Sequence, residues 1–220
     1  MSVTGCQCLA KWEKTMKTGS FFDIFALLVR GGWPIYLFGF LLLGGAAAAV
    51  YNFVTDSRQR TAKDVWMCIA RISVGGMWWQ ILWKLPPYYT DLPGVRDSGL
   101  RQWMIEMVNS ASFSIQSRFV QEIVLPHFSV FASLVYALAV FVAISLILGL
   151  FTRLGATLGA LMAVNLWLGL YRSSYQWPWT YFFLILLQVT FAVFQAGRSF
   201  GLDAILAMGS SRDWGRKDEW

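Results

Sequence analysis

Charge is scarce in this chain: of 220 residues only 14% are Asp, Glu, Lys or Arg, too few to cover the surface of a soluble domain of that size. Histidine is scarcer still, with His127 the only one. A bis-His haem needs two histidines and a catalytic zinc or copper site usually two or three, so no haem or metal centre is expected from this chain alone. Three cysteines are too few for a disulfide framework. Cys68 falls in an apolar stretch, where a thiol is usually a small buried hydrophobe, and Cys6-x-Cys8 is a weak signal. Gly-rich phosphate loops, Ser-His-Asp arrangements and Cys-x-x-Cys are missing as well. The net charge of +6 is spread singly between apolar runs and forms no basic patch, which argues against nucleic acid and fits loop topology and anionic head groups.

What the chain has instead is apolar and aromatic mass, 57% and 17% of its residues, with a mean hydropathy of +0.52. A helix needs ~20 apolar residues to cross a bilayer. Uncharged runs of that order cover Trp33 to Val54, Ile123 to Thr152, Leu154 to Tyr171 and Ser173 to Gly197. Pro126 suits a first helical turn, which starts the second of these near His127 or Phe128. A fifth candidate, Val65 to Leu85, carries Arg71, Gln80 and Lys84, and is counted as a span because polar groups in membrane helices are costly and tend to mark function or partner contact. Five spans are therefore expected.

The segments outside the spans are also patterned. Ser20 to Val29 is too short to cross and, with Lys11, Lys14 and Lys17 ahead of it, reads as an interfacial helix. Val3 to Cys6 imitates a lipobox, but no apolar h-region precedes it, so no cleavable signal is expected. Residues 86–125 are too long for a plain connection. Pro86-Pro87 stops a helix, Asp97 or Ser98 can cap the next, and Leu100, Trp103, Met104 and Met107 give it an apolar face. A second segment, Phe113 to Val124, places Phe119, Val120 and Ile123 on one side. Arg58, Arg60, Lys63, Arg153, Arg198, Arg212, Arg216 and Lys217 mark one face as cytoplasmic, which puts the amino terminus outside even though its own three lysines oppose that placement.

At 100° per residue Arg71, Gly75, Trp78 and Leu82 share a meridian, while Gln80 and Lys84 lie elsewhere. Lys84 is close enough to the helix end to snorkel; Arg71 either snorkels to the basic face or pairs inside the bundle. Gly155, Gly159 and Ala163 form a small-residue stripe suited to helix contact, with Asn165 off it and able to bond another helix. Gln188 and Gln195, seven apart, are expected on one face, either bridging helices or donating to a quinone carbonyl. Trp78, Trp79, Trp83, Trp177 and Trp179 form either an interfacial girdle or the wall of a ring-binding site.

Three segments carry a resemblance. Arg71-Ile-Ser-Val-Gly-Gly with Leu82-Trp-Lys84-Leu, Leu146-Ile-Leu-Gly-Leu-Phe-Thr-Arg153-Leu-Gly-Ala, and Ala196-Gly-Arg198-Ser-Phe-Gly-Leu-Asp203-Ala-Ile-Leu together resemble the DoxX/DoxD family of small membrane proteins over roughly residues 65–207. The resemblance implies a four-helix membrane fold and, for the DoxD type, the small subunit of a thiosulfate:quinone oxidoreductase working beside another subunit. It points to Arg71, Gly75, Lys84, Arg153, Arg198 and Asp203, of which Arg153, Arg198 and Asp203 are expected to meet at the cytoplasmic face, where an Arg-Asp pair would lock helix ends.

The expected protein is thus an all-α integral membrane protein of a bacterial or archaeal cell membrane. It has an interfacial segment (1–32), an extra transmembrane helix (33–54), a DoxX-like four-helix domain (65–207) and a polar tail (208–220). Its expected role is that of a subunit of a quinone-linked electron-transfer complex, binding quinone through Trp78, Trp79, Gln80, Lys84 and Gln188 without a redox centre of its own and without catalysing a reaction alone. The competing expectation is a non-catalytic assembly subunit of a respiratory or photosynthetic complex. Partners are other membrane subunits and lipids.

Overall fold

A computed structural model describes residues 33–56, 59–84, 100–174 and 176–215. The expected interfacial helix, Cys6 and Cys8, the Pro86-Pro87 stop and the Asp97/Ser98 cap lie outside the described residues, as do the side chains of Trp83 and Lys84. The structure is 84% helical, with no strand among the described residues. It divides into two units, Met1–Gly39 and Phe40–Trp220; the first helix begins in the first unit and the helix packing and the polar site belong to the second.

In chain order the helices are α1 (Trp33–Thr55), α2 (Ala62–Trp79), α3 (Ile81–Lys84), α4 (Leu100–Ser110), α5 (Ser114–Phe119), α6 (Phe128–Leu148), α7 (Thr152–Gly169), α8 (Pro178–Val193) and α9 (Leu202–Gly215). A π-helical turn, Val120–Val124, follows α5, and a 3-10 turn, Ala196–Arg198, precedes α9. Each expected apolar run holds one long helix. Two helices, at Pro34–Thr55 and Val130–Leu148, are long and apolar enough to cross a membrane. α8 is as apolar but has 16 residues, or about 24 Å at 1.5 Å each. α2 reaches 18 residues but includes Lys63, Asp64 and Arg71.

Local chemistry sets the ends. Thr61, extended at φ −104° and ψ 150°, accepts the Asp64 amide at 3.2 Å and starts α2. Pro178 starts α8 at its first turn, where a missing amide costs nothing. α2 breaks at Gln80 rather than running through to Leu85, and α8 stops at Val193, two residues short of Gln195. Gln195 instead takes a left-handed conformation (φ 50°), so it does not share a helical face with Gln188.

The long helices pack as α2 on α6, α6 on α7, and α7 on α8. Small residues let them close. A Cβ on Gly75 would fall 2.8 Å from the Ile147 side chain of α6, and one on Gly45 of α1 would fall 2.8 Å from the Ile147 carbonyl oxygen. The expected stripe on α7 is buried and serves two neighbours, Gly155 meeting Ser145 of α6 and Gly159 meeting Gln188 of α8. Between α3 and α6 the chain does fold into helices. Leu100 and Met104 pack with Val120, Val124 and Ala132, while Met107 joins Leu170 and Tyr181. Phe119, Val120 and Ile123, expected on one side, are divided, with Phe119 and Ile123 exposed and Val120 buried together with Val124. The π turn explains this: the Leu125 amide bonds the Val120 carbonyl at 2.9 Å, and the wider ring rotates the side chains off the 3.6 period.

Candidate functional site

The densest polar cluster lies where α6 turns into α7. Gly149 ends α6 in a left-handed conformation (φ 69°), its amide bonded to the Ser145 carbonyl at 2.9 Å, and Phe151 is left-handed as well (φ 50°). Phe151 has no side chain with which to cap α7. Asp203, 52 residues after Phe151, supplies the missing acceptor. The Phe151 amide donates to its Oδ1 at 2.9 Å and the Thr152 amide to its Oδ2 at 3.0 Å, while the Asp203 amide donates to the Gly149 carbonyl at 2.8 Å. A carboxylate on the positive end of a helix is stabilised by both the amides and the dipole. Gly197 must be glycine here, since a Cβ would lie 2.2 Å from Asp203 Oδ2 and equally close to Thr152 Oγ1.

Arg71 reaches this corner from α2. It is fully buried, which resolves its two expected placements in favour of the interior. Its Nη2 contacts Cys68 Sγ at 3.8 Å, and Asp203 attracts it electrostatically. Nη1 occupies the space a side chain would need at Gly149, within 1.6 Å of a Cβ there and 2.8 Å of one at Gly201. Nε and Nη1 have no hydrogen-bond partner, so burial works against this charge, and the groups that favour it are Cys68 first and Asp203 second.

Three further ties close the knot. Asn52 of α1, fully buried, donates from Nδ2 to the Ala48 carbonyl at 2.9 Å and to the Gly201 carbonyl at 3.0 Å. Ser199 Oγ donates to Asp64 Oδ1 at 2.7 Å, and the Phe200 amide donates to Gln59 Oε1 at 2.9 Å. Residues 197–203 thereby fasten α1, the α1–α2 turn and the α6–α7 corner together. The expected Arg-Asp lock takes a different form. Arg153 and Arg198 are exposed, and both oxygens of Asp203 serve backbone amides, because the uncapped end of α7 offers the nearer donors. Asn52, Gln59, Asp64, Thr152 and Ser199 were not singled out from sequence. Asn52 alone had a signal, as the one carboxamide in the first uncharged run.

The residues expected around a quinone differ in burial. Trp78 and Trp79 are buried on α2, whereas Trp177 and Trp179 are exposed, so these tryptophans do not form one belt. Gln80 is half-buried at the end of α2, its amide turned back to the Gly76 carbonyl at 3.2 Å. Gln188 is fully buried, with neither Nε2 nor Oε1 hydrogen-bonded. It is wedged against α7, where a Cβ on Gly159 would lie 2.4 Å from Nε2 and 2.9 Å from Oε1. α2 packs chiefly on α6 and α8 chiefly on α7. Trp78 Nε1 is likewise buried without a partner. These are hydrogen-bond donors of the kind a quinone carbonyl needs.

Elsewhere, Asn165 bonds another helix as expected, accepting from Gln116 Nε2 of α5 at 2.8 Å. His127 sits at the start of α6, exposed, its Nδ1 3.1 Å from the Ile123 carbonyl. Among the described residues no three His, Cys, Asp or Glu side chains come together. Comparison with protein families, curated proteins and solved structures finds no match to this chain.

Proposed function

We propose that this chain is a multi-pass membrane protein of DoxX-like build, in which α2, α6, α7 and α8 form the four-helix core and α1 is an added span. Its task is that of a non-catalytic subunit that helps hold together a larger respiratory or photosynthetic membrane complex. One observation carries this reading. Three polar side chains of the α6–α7 corner are engaged with the chain itself: Asp203 caps α7, Arg71 fills the space over Gly149 and Gly201, and Asn52 ties α1 to residue 201. Polar groups kept in an apolar interior for such ties favour one arrangement of helices over its alternatives. The outward stripe of α1, with Phe40, Leu43, Tyr51 and Val54 all more than half exposed, offers another membrane subunit an apolar surface.

A second reading, quinone binding beside a redox partner, rests on the unpaired donor and acceptor of Gln188. The donor of electrons would then belong to the other subunit, and this chain would only orient the ring.

The test is extraction of the full chain from its native membranes in a mild detergent, followed by identification of what migrates with it. The proposal expects other membrane subunits in fixed ratio, and loss of that assembly when residues 1–54 are removed. A chain that migrates alone under every mild condition, or that assembles equally well without residues 1–54, contradicts it.

A further inference from the structure

α5 and the π turn that continues it are held against the rest of the chain along one side only. Gln116 Nε2 donates to Asn165 Oδ1 of α7 at 2.8 Å, Ser117 Oγ donates to the Val108 carbonyl of α4 at 2.8 Å, and Val120 and Val124 pack with Ala132 of α6. The other side chains of this segment are exposed and divide in two. Ile115, Phe119 and Ile123 follow one another at steps of four and make an apolar strip, its members 81%, 44% and 47% exposed. Ser114, Arg118, Gln121 and Glu122, at steps of three and four, make a polar strip beside it. A helix on a water-soluble surface needs two sides, one for the core and one for water. The third, apolar and outward, suits a boundary between hydrocarbon and water.

The contacts also fix the level of this segment. The Ser112 amide donates to the Leu168 carbonyl at 2.9 Å, in the last turn of α7. Asn165 lies four residues before the end of that helix at Gly169, about 6 Å at 1.5 Å per residue. Ala132 stands the same distance into α6, which begins at Phe128 and is one of the two helices long and apolar enough to cross a membrane. The segment is therefore level with the outermost turns of α6 and α7. Rings of the kind that gather at membrane interfaces mark the turn between α7 and α8, where Tyr171, Trp177 and Trp179 are exposed and Trp179 stands edge-on to Phe182 at 5.6 Å.

We propose that α5 and its π turn bind the lipid surface, lying in the head-group boundary of the bilayer with Ile115, Phe119 and Ile123 in the outer acyl region and the polar strip turned to head groups and water. This rests on the reading of the chain as a multi-pass membrane protein. Arg118, next to Phe119, can keep its apolar stem along the acyl boundary while its guanidinium reaches a phosphate. A second protein subunit is the poorer occupant: a stable contact takes about 800 Å² from each partner, and three partly exposed side chains offer less, since even a large aromatic one buries only about 150–250 Å².

The test uses the full chain with Cys6, Cys8 and Cys68 changed to Ala, reconstituted in dioleoyl-phosphatidylcholine vesicles and carrying one nitroxide label at Ile115→Cys, Gln121→Cys or Leu161→Cys. Leu161, near the middle of α7 and 62% exposed, reports the hydrocarbon core. Collision rates with oxygen, which concentrates in hydrocarbon, and with a water-soluble nickel chelate give the depth of each label. The Leu161 label is expected deep, the Ile115 label about 5–10 Å below the phosphates with oxygen the better relaxant, and the Gln121 label open to the chelate. An Ile115 label as open to the chelate as the Gln121 label, while Leu161 stays in hydrocarbon, overturns the interfacial placement and leaves the membrane reading standing. An Ile115 label shielded from both reagents means that protein covers the strip, and overturns it too. A Leu161 label in water sinks the membrane reading and this proposal together. Phe119→Cys takes the place of Ile115→Cys if that variant does not reconstitute.

Discussion

Replacing Asp203 should release the corner that holds α6, α7 and the closing loop. Asp203→Ala removes the acceptors of two amides, Phe151 and Thr152, at 2.9 and 3.0 Å. Loss of a helix cap costs about 1 kcal/mol. Thr152 is 1% exposed, so its amide becomes a buried unsatisfied donor, which adds about 1–3 kcal/mol. Arg71 also loses the one carboxylate that attracts it, and both of its remaining nitrogens are already unpaired. The cap and the unsatisfied amide overlap, so the whole effect should fall at about 2–4 kcal/mol. Asp203→Asn keeps one acceptor oxygen and loses the charge, so it should fall between. The assay is thermal unfolding of the purified protein in one detergent, followed by tryptophan fluorescence, where about 2–4 °C is expected per kcal/mol for a chain of this length. Wild-type unfolding of Asp203→Ala, within about 0.5 kcal/mol, would refute the cap.

Other substitutions probe separate contacts. Gly149→Ala puts a Cβ 1.6 Å from Arg71 Nη1 at a φ of 69°, so the folded yield should collapse, whereas Gly39→Ala, where a Cβ meets nothing within 4 Å, should express as wild type. Gln188→Leu replaces two unsatisfied polar atoms by apolar ones and should leave stability unchanged or raise it by about 1–3 kcal/mol, read by the same unfolding assay. Gly45→Leu should part α1 from α6, because even a Cβ there lies 2.8 Å from the Ile147 carbonyl; faster proteolysis near residues 56–60 in detergent is the expected sign.

Much of the helical framework was legible because it rests on runs without charge. The limits of α1, α6 and α7 fall within a few residues of the uncharged stretches that predict them, and Leu100, Met104 and Met107 bury the face their spacing indicates. Ends set by conformation rather than composition were not legible. Uncharged sequence continues through Gln195, yet α8 stops earlier in left-handed backbone that no apolar count detects. The π turn at Val120–Val124 displaced Phe119 and Ile123 for a similar reason. The site divides likewise. Arg71 and Asp203 could be singled out individually, but not that Asp203 would bond amides half a hundred residues away instead of an arginine. Side chain to backbone pairing across such separations leaves no periodic mark. Nor does sequence reveal that Gln188 is wedged against Gly159 of α7 with both polar atoms unpaired.

The central claim is that Asp203, Arg71 and Asn52 hold the fold and that Gln80 and Gln188 do not serve a reaction. Its most direct test is electron-transfer turnover and quinone content of the isolated native complex carrying Gln80→Leu together with Gln188→Leu. Turnover and quinone content equal to the wild type are predicted, in a complex of unaltered subunit ratio. Loss of quinone in proportion to this subunit, with turnover falling while the complex stays assembled, would contradict the claim and assign these two side chains to a quinone site.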